Sequence, residues 1–211
     1  MPLHKTINVN TTTQVFVWKI TESYEQLYNE VQLNEKNVIR LNGMRSELHQ
    51  RAFLSVRKLL QETGYSDFDL VYDAFGKPHL KDGKHISITH SHEFSAIVLS
   101  DQNIGIDMEM RREKIIRIAD KFVDCEFKFL NQQHSEDYIS KLTVIWGAKE
   151  AIFKIRNEVG ISFKDHIKVA PFEMEKNTGV ACLHFKEVIR CFSIHFEEIE
   201  NFTLVYAFEN N

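Results

Sequence analysis

Gly105-Ile-Asp107-Met-Glu109, followed by Trp146-Gly-Ala-Lys149-Glu150-Ala-Ile-Phe-Lys154, is the stretch on which the reading of this chain turns. Ile104 to Met110 alternates as a strand does. A period of two then points Asp107 and Glu109 to one face, where their oxygens can converge on one ion. The second segment has the apolar spacing of a helix, and Trp146, Glu150 and Lys154, four apart, share one side of it. A strand bearing two acids and a helix bearing an acid beside a base are the elements of a Mg²⁺ and phosphate site. Mg²⁺ takes oxygen ligands, with one or two carboxylates completed by phosphates and waters. Each half has a plainer reading as well. Asp-x-Glu on a strand is commonly a solvated face, and Glu-x-x-x-Lys on a helix is commonly a surface pair worth a few tenths of a kcal/mol.

Upstream, Ile86-Ser-Ile-Thr89-His90-Ser-His92, then Phe94 to Ser100, then the Asp107 strand read as a three-stranded antiparallel meander with a turn at Asp101 to Asn103. In that arrangement the first and third strands run the same way, and Thr89 and His90 come to the edge that carries Asp107 and Glu109. A hydroxyl and an imidazole there suit a phosphate. His90 and His92 also read as half of a zinc site, but no cysteine pair or Glu-bearing His motif completes it. Phe75-Gly76-Lys77-Pro78-His79 marks an exposed turn, either a ligand contact or an ordinary hairpin turn with a solvated lysine.

The ordered set Gly76-Lys77-Pro78, Ser-x-Thr89-His90-Ser, Gly-Ile-Asp107-x-Glu109 and Trp146-x-x-Lys149-Glu150-Ala-x-x-Lys154 resembles the 4′-phosphopantetheinyl transferases. It is most similar to the double-length, monomeric type that activates surfactin synthetase, over residues 45–158. The resemblance implies Mg²⁺-dependent transfer of the phosphopantetheine arm of coenzyme A to a serine of an acyl or peptidyl carrier protein, with release of adenosine 3′,5′-bisphosphate. It assigns Asp107, Glu109 and Glu150 to Mg²⁺, and Glu150 also to the role of base towards the serine. A metal-bound carboxylate is a weakened base, so a relay through a Mg²⁺-bound water is the competing route. Lys154 would stabilise or protonate the departing phosphate, and Lys149 would assist on the phosphate side. Thr89 and His90 match positions that touch coenzyme A phosphates. Gly76, Lys77 and Pro78 match a loop beside the adenine. Arg51, with Arg57 as the neighbouring candidate, matches an arginine at the 3′-phosphate. Thr89 replaces the family's usual serine and keeps the hydroxyl, while His92 stands where a small residue is frequent.

The implied fold is α+β: two similar halves, 1–102 and 103–211, related by a pseudo-twofold. Each half is a small, mostly antiparallel sheet packed with helices, and coenzyme A would lie in the cleft between them. Periodicity places a strand near 14–20, helices near 22–31 and 35–63, helices near 113–130 and 136–158, and short strands near 166–170, 179–185, 189–196 and 202–208. Leu41, Met44, Leu48, Ala52, Val56 and Leu59 form a core stripe, and Gly64 ends their helix.

Length and composition agree with one or two compact domains: 211 residues, 43% of them apolar. Three cysteines without a C-x-x-C spacing fit a reducing cytoplasm, and no run of about eighteen apolar residues is present to span a bilayer. A net charge of −4 supplies no global steering field. Locally, Arg111-Arg112-Glu-Lys114-Ile-Ile-Arg117-Ile-Ala-Asp-Lys121 is basic. It reads either as a docking surface for an acidic carrier protein, through Arg112 and Arg117, or as a solvated helix face. The run is too short and too poor in aromatics for nucleic acid. Beside the transferase stand two other readings: a coenzyme A-binding protein without transfer activity, and a Mg²⁺-dependent pyrophosphate hydrolase.

Overall fold

The computed structural model describes residues 3–210, and the chain divides into two units, Met1–Gln102 and Asn103–Asn211. In the first, β1 (Leu3–Asn8), β2 (Gln14–Lys19), β5 (His85–Ser91) and β6 (Phe94–Ser100) form an antiparallel sheet in the order β1-β2-β6-β5. Helices α1 (Tyr24–Glu30), α2 (Glu35–Asn42) and α3 (Glu47–Glu62) precede a two-stranded hairpin of β3 (Leu70–Tyr72) and β4 (Pro78–Leu80). A capping box starts α1: Ser23 Oγ accepts the Gln26 amide while Gln26 Oε1 accepts the Ser23 amide. The sheet buries Trp18, Ile86, Ile97 and Leu99 against Leu27 of α1, Leu41 of α2 and Ala52, Val56, Leu59 and Leu60 of α3.

The expected helix over 35–63 is two helices. Gly43, a weak helix former, caps α2, and extended backbone at Ser46 starts α3 afresh. The apolar stripe changes phase at this break, so Leu41 is buried but Leu48 is 43% exposed.

The second unit is a five-stranded antiparallel sheet in the order β7-β11-β10-β9-β8: β7 (Ile104–Met110), β8 (Ile167–Val169), β9 (Thr178–Phe185), β10 (Val188–Ile199) and β11 (Phe202–Glu209). Across it lies α4 (Ser135–Arg156), buried on most of its circumference, and a short helix α5 (Phe163–His166) precedes β8. Leu142, Ile145, Ala148 and Ile152 of α4 share a core with Phe192, Ile194, Val205 and Ala207 of the sheet. Two close approaches set this packing. A Cβ on Gly105 would fall 1.9 Å from the Ala151 carbonyl oxygen, and one on Gly147 would fall 2.7 Å from Val205 Cγ2. Only residues without a Cβ let α4 lie this near β7 and β11.

Three expectations are corrected here. The meander fails at its third strand: both edges of β6 are taken, by β2 and β5, so β7 pairs with β11 instead. The argument that brought Thr89 and His90 to the Asp107 edge through strand pairing falls with it. The expected helix over 113–130 is a pair of 3₁₀ segments, Glu113–Lys121 and Cys125–Lys128. The Phe122 carbonyl, which a continuous helix would give to a following amide, accepts the Lys149 ammonium at 2.6 Å. Lastly, Cys182 and Cys191, register partners on β9 and β10, are joined in a disulfide, where the sequence had read all three cysteines as reduced.

Candidate active site

Gly105, Asp107 and Glu109 lie on the face of β7 that meets α4, as the period of two requires. The helix runs back along the strand, with Ala151 over Gly105, Gly147 near Asp107 and Trp146 at Glu109. Glu150 and Lys154 continue the Trp146 stripe. Lys154 Nζ donates to Asp107 Oδ1 at 2.9 Å and to the Ile106 carbonyl at 2.8 Å, and the Asp107 residue is only 5% exposed. Trp146 Nε1 donates to Glu109 Oε1 at 3.2 Å.

The charges do not balance. Asp107, Glu109 and Glu150 face one ammonium. Burial first, then the charge of Asp107, pushes Glu109 up to about 7, against the opposing pull of Trp146, Lys154 and Arg112. Burial and then Asp107 likewise push Glu150 up to about 7; Glu109 adds to the rise and Lys154 opposes it. Carboxylates so perturbed in one another's field make this cluster a functional-site candidate. The donor set, oxygen throughout, fits Mg²⁺. Among the described residues no group of three or more His, Cys, Asp or Glu forms a ready cage for a metal. Mg²⁺ has no need of one, since it keeps waters and takes substrate phosphates for most of its octahedron.

Lys149 does not join this site, and the expected role on the phosphate side is corrected. One residue along a helix is a turn of about 100°, which sends its side chain away from β7. The residue is 0% exposed, and its ammonium donates to the Phe122 and Phe163 carbonyls and pairs with Glu126 Oε1 at 2.7 Å. Glu126 carried no signal in the sequence because its partner is 23 residues distant.

The remaining candidates belong to the first unit. Strand alternation puts Thr89 and His90 on opposite faces of β5, Thr89 buried and His90 exposed. The His90 ring lies 6.3 Å from that of His49 on α3, a neighbour that sequence reading missed because their separation is long-range. Gly76 turns the β3–β4 loop with φ +82, and Asp73 Oδ1 accepts the Phe75 and Lys77 amides, both at 2.9 Å. Pro78 opens β4, and Phe75 is 72% exposed at the loop tip. Arg51 donates to the Glu22 and Ile20 carbonyls at 2.8 and 3.3 Å. Arg57, the neighbouring candidate, is corrected: it is 3% exposed, pairs with Asp67 at 2.8 Å and packs its guanidinium over Phe53.

Residues 103–207, which include the whole β7–α4 constellation, match the sequence profile of the 4′-phosphopantetheinyl transferase superfamily. The C-terminal half belongs to that superfamily. Among curated proteins, the chain is 27% identical to the 4′-phosphopantetheinyl transferase gsp of Aneurinibacillus migulanus, over 59% of this chain and 52% of that protein. It is 26% identical to the enterobactin synthase component D of Salmonella typhi, over 51% of this chain and 44% of that protein. The match thus spans about half the length of these superfamily relatives. No described helix is long and apolar enough to cross a membrane.

Proposed function

We propose that this protein transfers the 4′-phosphopantetheine arm of coenzyme A to a serine hydroxyl of an acyl or peptidyl carrier protein, releasing adenosine 3′,5′-bisphosphate. The observation that carries this reading is the acidic stripe of β7 and α4, where Glu109 and Glu150 sit near 7 beside the Asp107–Lys154 pair. Asp107, Glu109 and Glu150 would hold Mg²⁺, which when bound supplies charge neutralisation at the pyrophosphate. Glu150, poised near neutrality, suits the role of proton acceptor from the serine, directly or through a water. Lys154, held against Asp107 and the Ile106 carbonyl, presents positive charge where the departing phosphate gains negative charge. On the first unit, Arg51, Gly76, Lys77, Pro78, Thr89 and His90 are proposed to contact coenzyme A.

For the carrier protein we propose the segment after β7. A groove of about 200 Å³ beside Glu109 and Trp146 is lined by Met110, Ile115 and Ile118, with Arg112 and Lys114. Apolar walls with basic residues suit an acidic, partly apolar helix. Arg112 and Arg117 are both exposed, and Arg117 lies outside the lining of the groove. Charge reversal at both should raise the KM for carrier protein about tenfold; an unchanged KM would contradict the docking assignment. The same reading makes the protein a cytoplasmic monomer.

Adenosine 3′,5′-bisphosphate release should be quantified with coenzyme A, Mg²⁺ and either an apo carrier protein or its serine-to-alanine variant. Release only with the intact serine supports the transferase. Release with both carriers would make the protein a pyrophosphate hydrolase. Coenzyme A binding without release would make it a binding protein.

A further inference from the structure

We infer that Lys149 and Glu126 form a buried latch that positions the Glu109 carboxylate by way of Trp146. This rests on the transferase reading for its catalytic consequence, though its geometry belongs wholly to the second unit. The Lys149 ammonium has three acceptors, one on each of three separate segments: Phe122 O at 2.6 Å, Phe163 O at 3.0 Å and Glu126 Oε1 at 2.7 Å. Three N–H donors thus meet three acceptors, which a planar guanidinium fork does not reproduce. Glu126, 0% exposed, is fixed in turn by the Val169 amide on Oε1 and the Asp124 amide on Oε2, both at 3.0 Å. Its carboxyl is held below the ordinary value: burial works the other way, but Lys149 and the two amides outweigh it.

The two residues whose carbonyls Lys149 holds also hold Trp146. The Phe122 ring meets the indole edge-on at 5.1 Å, and the Phe163 ring meets it at 5.5 Å. A residue's carbonyl and ring are tied through one Cα, so fixing the first confines the second. Between these rings the indole has little freedom, and its N–H reaches Glu109 Oε1 at 3.2 Å. The three acceptors of the Lys149 ammonium include none of the proposed metal ligands. Lys149 is a positioning residue, acting on Glu109 through the two phenylalanines and then Trp146.

A purely stabilising role would lead to a different result. A buried ion pair replaced by apolar residues is often neutral in stability, so Glu126→Leu with Lys149→Met can keep the fold while removing the hold on the Phe122 and Phe163 carbonyls. The test uses the ¹⁵N-labelled full chain without coenzyme A or carrier, reading the two indole N–H resonances, with Trp18 as internal reference, and Mg²⁺ affinity by calorimetry. The latch predicts a cooperative melt, a displaced or broadened Trp146 resonance beside an unmoved Trp18 resonance, and Mg²⁺ binding weakened on the order of tenfold. With substrates, kcat should fall while the KM for coenzyme A holds. Wild-type Trp146 resonance and Mg²⁺ affinity in a folded double variant would overturn the proposal.

Should that variant not fold, Trp146→Phe, which removes the indole N–H together with the five-membered ring that bears it, should weaken Mg²⁺ binding to a similar degree; unchanged affinity would equally overturn it. If the wild-type protein binds no Mg²⁺, the metal reading fails, and the Trp146 resonance of the double variant, or of Lys149→Arg if that one does not fold, still decides the latch.

Discussion

Glu109 and Glu150 carry the clearest electrostatic consequence of the site. Each has a folded-state pKa of about 7 against an ordinary carboxyl value near 4.5. Between those values the folded chain holds protons that the unfolded chain has released, so their contribution to stability is fully present below about 4.5 and is lost as pH rises through about 7. In EDTA, the melting temperature of the wild-type protein should therefore fall more steeply between pH 5 and 8 than that of Glu109→Gln or Glu150→Gln, as scanning calorimetry can measure. Equal slopes in all three would contradict the assignment. The same residues show what the sequence made legible. Spacing placed Glu150 and Lys154 on one stripe, whereas Lys149 was drawn to the phosphate by its charge and by the resemblance. Its true partners, Glu126 and the Phe122 and Phe163 carbonyls, lie 14 to 27 residues away, beyond any local pattern.

At the scale of elements, the site depends on how closely α4 lies against β7. Gly105→Ala would drive a methyl into the Ala151 backbone, which cannot rotate aside, and should cost roughly 3 kcal/mol or more. Gly147→Ala meets the Val205 side chain and regains about 1 kcal/mol of helix propensity, so its net cost should be smaller. Urea denaturation of both variants checks the order; a costlier Gly147→Ala would contradict the geometry. Lys149→Met alone leaves the Glu126 carboxylate buried without its cation and should cost about 3–5 kcal/mol. Strand β7 was legible because it alternates over its full length, and helix α4, buried on most of its circumference, through the four-residue spacing of Trp146, Glu150 and Lys154. The 113–128 segment was not, because it breaks at Phe122, whose carbonyl is held by Lys149 of α4 rather than by a following amide of a continuous helix. The break at Gly43 had a local signal, yet the apolar stripe on either side of it masked the change of phase.

For the whole molecule, antiparallel sheets packed with helices were expected and are present in both units. Strand order was harder to read. β5, β6 and β7 follow one another with short turns, which favours a meander, but β2 had already claimed the second edge of β6. That competition comes from a strand some 80 residues earlier and leaves no mark near the turn. Strand β1 went unread, its half-exposed Leu-His-Lys-Thr-Ile-Asn offering little apolar contrast. The candidate site was easier to assemble from sequence than the topology because Asp107, Glu109, Glu150 and Lys154 sit on two regular elements, whereas strand order depends on contacts across the whole chain.

The most direct measurement is the intact mass of an apo carrier protein after incubation with this protein, coenzyme A and Mg²⁺, run beside Asp107→Ala, Glu150→Gln and EDTA controls whose folding is verified by circular dichroism. The account predicts a gain of one phosphopantetheine with the wild-type protein and its loss in all three controls. A gain that persists in folded Asp107→Ala would remove the β7–α4 stripe from the chemistry. No gain with any of several carrier proteins, while coenzyme A still binds, would contradict the transferase itself.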